Sequence, residues 1–556
     1  MPRFLLASLN IEAILLETTL SRRRKKLAAM TNGLALGDAY GATIGRIEAQ
    51  GGDKPRLGMA ALMWILHSER PLNMDEICHA LADEIGSTNR DAGGVPSIRT
   101  VLECCQGLAA IDEGSSTIRL TSRALKEYLS RHPKFSGAHS RIAETCLTYL
   151  NSQVIKDLSP SRARDPGGTP LLEYSSLYWG THMRKEFSDH LRSLALDLLD
   201  QYDNHISAEL LWRSASERHF NPAKPFSSLH CISYFGIVEV AIDMIRARRW
   251  DVNQRDSAGL TPLMWGARYG HEEVVQLLLQ QGGTQPDIPD MEYGRTALSW
   301  AAGGGHERVV KLLLGGRFAD SGNIGRWWKN TWRAMALIIV GKCVDPNSPD
   351  NRGQTPLLWA ARNGHDRTVE LLLKLEDVSP DGPDNRGQSP LSWAARNGHD
   401  RVVKLLLGRK DVSPDRPDNC GQTPLSWAAW NGHDGVVELL LEQEDVSHDG
   451  PDHFGKTPLS RAARNGHDGV VRLLFELEDV SPDRPDNFGM TPLSLAARNG
   501  HDVVVELLKA RLAATPLHRI RPGDTAFLGI FGPRHMPFFI ILGAALRLIL
   551  NRLPGR

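Results

Sequence analysis

The tripeptide Thr/Ser-Pro-Leu returns every 34 residues, at Thr355, Ser389, Thr423, Thr457 and Thr491, and this period constrains the fold more than any other feature. Earlier copies stand at Thr261-Pro-Leu and Thr296-Ala-Leu, 35 apart, and a weaker one begins at Ser227, where Ser228-Leu229 and Gly236 keep the phase. Self-similarity of this kind means a stack of small units, each packed mainly on its neighbours. Every position in the unit has a physical task. In the copy that starts at Thr355, the threonine hydroxyl caps a helix and Pro356, which has no amide to satisfy, fills the first helical position. Leu357, Trp359, Ala360 and Ala361 supply a packed face, and Gly364 is free to take the left-handed conformation that ends the helix. A second helix follows with Val369, Leu371, Leu372 and Leu373 on its apolar side, and Asp384-Asn-Arg-Gly supplies turn chemistry before the next cap. Two such short helices are not stable alone in water, so burial between neighbours must hold them.

A tetratricopeptide repeat shares the period but has longer helices and lacks both the Thr-Pro-Leu cap and the Gly-His junction. The pattern resembles ankyrin repeats over about residues 225 to 510. The predicted fold class is therefore mainly α: an ankyrin-repeat solenoid over 223–510, preceded by other helical modules. One stretch departs. Thr296 and Thr355 lie 59 residues apart, one period plus 25. Met335-Ala-Leu-Ile-Ile and Val344-Asp-Pro-Asn-Ser-Pro-Asp keep the phase of a second helix and its finger, while the segment from Ser321 to Trp332 has lost the motif. A degenerate unit is expected at about 315–350.

Upstream, residues 52–135 read as three helices, near Leu57–His67, Asp75–Ile85 and Ile98–Gln106, followed by a hairpin turning at Glu113-Gly-Ser-Ser. Three helices and a two-stranded wing make a winged-helix-like module. Its third helix carries one arginine and one glutamate, a poor reader of a major groove. Residues 136–222 continue as a helical linker, with helices near Leu171–Lys185 and Phe187–Asp200. Leu36-Gly-Asp-Ala-Tyr-Gly-Ala-Thr-Ile, Leu57-Gly-Met-Ala-Ala-Leu-Met-Trp-Ile and Glu69-Arg-Pro-Leu-Asn-Met-Asp-Glu-Ile-Cys-His-Ala-Leu-Ala resemble the segment after the NTPase core of fungal NACHT–ankyrin proteins, relatives of the NOD-like receptors. The resemblance covers about residues 3–155. It implies a domain similar to the winged helix of GPI inositol-deacylase, with 1–51 as the end of a NACHT module and no NTPase core in this chain. It also leaves open a second reading, a fragment of a signalling NTPase whose nucleotide switch is encoded upstream.

Composition bounds the function. The 556 residues carry 65 Lys+Arg against 65 Asp+Glu, so no nucleic-acid coat is indicated. The seven cysteines form no C-x-x-C pair, and a reduced compartment, cytoplasm or alternatively nucleus, is expected. Arg22-Arg23-Arg24-Lys25-Lys26 reads as a solvated turn on a helix from about Ile11 to Met30, with nuclear import the alternative. In the tail, 511–556, the apolar run Met536–Leu546 is short for a membrane span and is bounded by Arg534, His535 and Arg547, so it is a weak anchor candidate.

Chemistry is tested and not found. Gly450-Pro-Asp-His-Phe-Gly-Lys-Thr457 matches a phosphate-binding loop in letters, but no apolar strand precedes it and Thr457 is committed as a helix cap. No G-x-S-x-G elbow exists. The column His271, His306, His365, His399, His433, His467 and His501 is too widely spaced to share an ion. No enzyme, cofactor or metal is expected. What remains is a protein partner on the ankyrin face. The pairs before each Gly-His begin with Arg362, Arg396, Trp430, Arg464 and Arg498, and Arg352, Arg386, Cys420, Phe454 and Phe488 precede the finger glycine; the arginines and aromatics among them are of the types enriched in hot spots. The same row also arises by copying of near-identical repeats, and the acidic Asp381, Asp384, Asp415 and Asp418 offer it internal partners. On the ligand reading, Arg396→Glu with Arg464→Glu abolishes capture and leaves thermal unfolding nearly unchanged.

Overall fold

A computed structural model describes residues 18–31, 36–82, 94–159, 168–215, 226–247, 250–315 and 344–514. These form two compact units, one up to Asn351 and one from Arg352. Both are mostly helical, and the strands among the described residues make one two-stranded sheet.

The first unit opens with α1 (Leu20–Thr31), α2 (Leu36–Glu48) and α3 (Lys54–His67). Pro55 sits in the first turn of α3, where its missing amide costs nothing, and Ala61, Leu62, Met63, Trp64 and Leu66 are buried. A short α4 (Met74–Ala80) begins with a reciprocal cap: Asn73 Oδ1 accepts the Glu76 amide and Glu76 Oε2 accepts the Asn73 amide, both at 2.8 Å. The buried Glu76 carboxylate is matched by Arg70 at 2.6 Å. This helix ends at Ala80, earlier than its sequence suggested, and residues 83–93 lie outside the described residues.

Then come α5 (Ile98–Cys104), β1 (Ala109–Asp112) and β2 (Thr117–Leu120), with Ala109 opposite Leu120 and Asp112 opposite Thr117 in antiparallel register. Gly58 is needed where α3 meets α5, because a Cβ there would stand 2.6 Å from the Cys104 carbonyl oxygen. α6 (Arg123–Ser130), α7 (Ala138–Asn151), α8 (Gln153–Lys156), α9 (Leu172–Lys185), α10 (Asp189–Leu199) and α11 (Ile206–Ala215) follow, with α7 packed between α9 and α10.

Helix pairs fill the rest. In the first unit they are Ser228–Phe235 with Val238–Arg246, Pro262–Arg268 with Glu272–Leu279, and Ala297–Gly303 with Glu307–Leu313. In the second unit the first helices begin at Pro356, Pro390, Pro424, Pro458 and Pro492. Each is capped as the sequence implied: Thr355 Oγ1, for example, accepts the Leu358 amide at 3.3 Å, and Thr457 accepts that of Ser460 at 3.2 Å. Within each unit first helices pack on first helices and second on second, so the apolar faces close on one another. The final second helix, Asp502–Ala514, runs past residue 510.

Most of the degenerate repeat expected at 315–350 lies outside the described residues, which leave out 316–343. Its described end, from Val344, is a finger. The amide of Asn351 donates to the Tyr293 carbonyl at 2.8 Å. Neighbouring fingers elsewhere make this bond between residues 33 positions apart, as in Asn385 to Arg352, whereas here the partners are 58 apart. The finger after the long interval is thus bonded directly to the finger before it.

Candidate functional site

Each finger is built round one aspartate. Buried Asp384 accepts the amides of Arg386 and Gln388 at 2.9 Å on Oδ1, and the indole Nε1–H of Trp393 at 3.1 Å on Oδ2. Asp418 repeats the arrangement with Cys420, Gln422 and, at 3.2 Å, Trp427. In the first unit Asp256 takes Trp265 at 2.9 Å and Asp290 takes Trp300 at 3.0 Å. A buried carboxylate is tolerated when its oxygens are all engaged, and here that engagement fixes finger to first helix. Of the acidic residues expected to meet arginine, Asp381 does so, with Arg416 of the next repeat at 2.9 Å. Asp449 likewise takes Arg484 at 3.2 Å. Asp384 and Asp418 instead take tryptophan. Burial raises the Asp415 carboxyl above its ordinary value, with the Ser447 amide and His448 pulling it back.

The histidine column is structural. The Nε2–H of His399 donates to the Arg362 carbonyl of the preceding repeat at 3.0 Å, and His433, His467 and His501 do the same to Arg396, Trp430 and Arg464. The glycine of the preceding repeat makes room for the ring. Gly398 has φ of +73°, and a Cβ on it would stand 2.6 Å from His433 Nδ1. Asparagines join the same seam: Asn397, Asn465 and Asn499 donate from Nδ2 to the carbonyls of Arg362, Trp430 and Arg464.

Between these seams the long side chains of the first helices interleave. Arg362 lies over Trp359 at 5.0 Å and Trp393 at 4.3 Å, and Arg396 over Trp393 at 5.1 Å and Trp427 at 4.2 Å. The next joint exchanges the two residue types. Trp430 stands at the position of Arg396, and Arg461 at that of Trp427. Arg461 lies over the Trp430 ring at 4.9 Å and Arg464 at 5.5 Å. Arg461 is buried and bonds Asp452, taking over the task of the indole nitrogen. The cation–ring contact survives with its partners reversed. Such contacts are worth about 0.5–2 kcal/mol each, more when shielded from water.

The family model for ankyrin repeats matches residues 229–322, 329–418, 378–453 and 425–519, together just over half of the chain. The chain belongs to the ankyrin-repeat family. It is 34% identical over 64 residues to the human ankyrin repeat and SAM domain-containing protein 3, covering 12% of this chain and 10% of that protein. It is 31% identical over 160 residues to the palmitoyltransferase AKR1 of Lachancea kluyveri, 28% of this chain and 18% of that one. The chain thus spans less than a fifth of each of these curated relatives.

On this ankyrin stack the residues singled out from sequence fall into two groups. Arg362, Arg396, Trp430 and Arg464 are half-buried in the ladder just described. Burial lowers the Arg396 guanidinium pKa, with Arg386 acting in the same direction. The expectation that Arg396→Glu leaves unfolding nearly unchanged is therefore corrected: a carboxylate there would face two indoles in place of a stacked cation. Arg352, Arg386, Cys420, Phe454, Phe488 and Arg498 are exposed. Phe454 and Phe488 are 47% and 72% exposed on fingers joined by the Asn487 amide to the Phe454 carbonyl at 2.9 Å. Sequence reasoning missed the Asp–Trp bonds and the ladder. The recurring step of nine residues from finger aspartate to tryptophan, ten at Asp290 and Trp300, was the available signal.

The phosphate-loop match is a finger. Asp452 accepts the Phe454 and Lys456 amides at 2.8 Å, and the buried Thr457 caps Pro458–Asn465. In α5, Arg99 is paired with Glu103 of its own helix at 3.1 Å. No helix among the described residues is long and apolar enough to cross a membrane, and Met536–Leu546 lies outside them. Cys105 and Cys146 are buried, which pushes each thiol up to about 12.

Proposed function

We propose that this ankyrin-repeat chain is a non-catalytic interaction scaffold that takes a protein partner along the finger tips of its second unit. The observation that carries this is the line of exposed tips Arg352, Arg386, Cys420, Phe454 and Phe488 on hydrogen-bonded neighbouring fingers. The line runs from cationic to aromatic, and its two phenylalanines leave much of their rings in water. Aromatic anchors beside arginines are the composition of a binding hot spot. Trp430, Arg464 and Arg498 are the first-helix residues that would flank such a partner.

Capture tests the reading. Full-length protein and its Phe454→Glu/Phe488→Glu variant are incubated with lysate of the source cells, and retained proteins are compared by mass spectrometry. The variant should lose what the wild type retains while its unfolding free energy from urea titration stays within about 0.5 kcal/mol of wild type, the usual range for surface changes. Identical retention by both would refute the finger-tip assignment.

The setting we infer is NOD-like receptor-type signalling inside the cell, in the cytoplasm with the nucleus as alternative. The organisation is 1–51 as the end of a NACHT module, 52–135 winged-helix-like, 136–222 linker, 223–510 repeats with a degenerate unit at 315–350, and 511–556 tail. Support for the winged-helix part is the order α3–α4–α5–β1–β2 together with the bond from the Ile118 amide to the Leu72 carbonyl at 3.0 Å, which adds the segment before α4 to the hairpin. The alternative, a fragment of a NACHT-type NTPase, is separated by the reading frame upstream of Met1: an in-frame strand followed by a phosphate-binding loop favours it.

A further inference from the structure

Three elements of the first unit bring histidines and a carboxylate together away from the repeats. α3 ends on His67, Glu69 follows in the next turn, His139 stands in the first turn of α7 and His182 in the last turn of α9. His139 Nδ1 and His182 Nδ1 are 2.7 Å apart, and one ligand atom each from Glu69, His139 and His182 lie within 4.8 Å of one another. The His67 ring is edge-on to that of His139 with centroids 5.1 Å apart, and its buried Nε2 has no hydrogen-bond partner. His182 is fully buried, and its second nitrogen, Nε2, is held by the Tyr174 hydroxyl at 2.8 Å.

We propose that Glu69, His139 and His182 form a binding site for a divalent transition-metal ion, Zn²⁺ by preference, with His67 packed beside them. Two imidazoles and one carboxylate are a zinc-type donor set, with the fourth position open to water. The Tyr174–His182 contact is the outer support such a ligand needs: with the Nε2–H of His182 donating to the hydroxyl oxygen, Nδ1 is left for the ion. Seating the ion requires modest changes. The Nδ1–Nδ1 distance widens to about 3.3 Å for tetrahedral coordination at zinc–nitrogen distances near 2.0 Å. The hydrogen between the two nitrogens is removed by tautomerisation of His139 to its Nε2–H form. Lys185 Nζ, 2.5 Å from Glu69 Oε1, swings into solvent, and Glu186, which accepts the Ser140 amide at 2.8 Å, stays close by as a neutralising charge. The ion pins the end of α3 to α7 and α9.

The test uses purified full-length protein, stripped with chelator and titrated with Zn²⁺ and separately with Co²⁺ as a visible-absorption probe. One equivalent should bind, raise the melting temperature and give tetrahedral nitrogen/oxygen-type Co²⁺ bands, whereas Mg²⁺ should do neither. Glu69→Gln and His139→Ala should each weaken Zn²⁺ binding by at least about tenfold. His190→Ala, an exposed position on α10, should bind as the wild type does. Absence of saturable binding, binding unchanged in both site variants, or a Co²⁺ spectrum with thiolate charge-transfer bands would each overturn the assignment. The last readout uses the wild type alone and stands even if a variant misfolds.

Discussion

Arg461 offers a substitution test in which the larger chemical change should do less harm. Its guanidinium is 4% exposed and bonds Asp452, whose side chain is fully buried. Oδ1 of Asp452 keeps the Phe454 and Lys456 amides at 2.8 Å whatever stands at 461, so only Oδ2 loses its donor when the arginine is removed. Stranding one partner of a buried pair costs about 3–5 kcal/mol. Arg461→Met, similar in length and apolar, should pay that in full and add the lost stack on Trp430, about 0.5–2 kcal/mol. Arg461→Trp restores what Trp393 and Trp427 provide, an indole N–H at 3.1 and 3.2 Å from the finger carboxylate. Its loss should stay near 1 kcal/mol. Thermal unfolding of the full chain reads the difference, since about 1 kcal/mol shifts a domain of this size by about 2–4 °C. The methionine variant should fall by about 6 °C or more and the tryptophan variant by no more than about 4 °C. Trp430→Arg alone gathers three guanidiniums, with Arg461 and Arg464, and should destabilise. Combined with Arg461→Trp it recreates the Trp393–Arg396–Trp427 joint and should recover most of the loss. Equal destabilisation by tryptophan and methionine at 461 would refute the interchange of indole and guanidinium.

Two further outcomes follow from single positions. Gly398 and Gly500 have φ of +73° and +75°, but a Cβ on Gly398 meets His433 Nδ1 at 2.6 Å and one on Gly500 meets nothing within 4 Å. Both alanine variants carry the left-handed backbone cost of about 1–2 kcal/mol, and Gly398→Ala should lose about 1 kcal/mol more by displacing the histidine bond, as urea midpoints will show. His205 is buried, with Nε2 bonded to the Leu150 carbonyl at 3.1 Å, and desolvation lowers its pKa from 6.5 to about 4. Between those values the unfolded chain binds a proton that the folded chain does not. Stability therefore falls as pH drops from 6.5 towards 4, by about 1.4 kcal/mol per pH unit from this group. Melting curves at pH 7, 6 and 5 should show a shallower slope for His205→Gln.

The repeats were legible because their determinants are local. Thr355 needs only the next three residues to cap a helix, and Gly364 needs only its own φ of +77° to end one. The finger tips were legible for the same reason, since a residue before a turn glycine points outward wherever the turn is. Long side chains were not. Arg362 and Arg396 have the composition of a binding row, yet each reaches into the next repeat and settles between two indoles, a choice made by a neighbour 31 residues on. Asp384 looked like an arginine partner, but its own repeat supplies an indole first. The bond from Asn351 to Tyr293 spans the irregular interval and has no local mark in the sequence. Glu69, His139 and His182 come from three separate elements with no motif spacing, so only the packing of α7 on α9 and the turn after α3 assembles them.

Site-specific photocrosslinking tests the central claim most directly. A photoreactive phenylalanine analogue is placed at Phe488, on a finger tip, or at Arg401, whose side chain is 87% exposed on the second helix Asp400–Leu407. The full-length proteins are irradiated in lysate of the source cells. The account predicts a discrete crosslinked protein band from position 488 that position 401 does not give. A partner captured from 401 and not from 488 would contradict it.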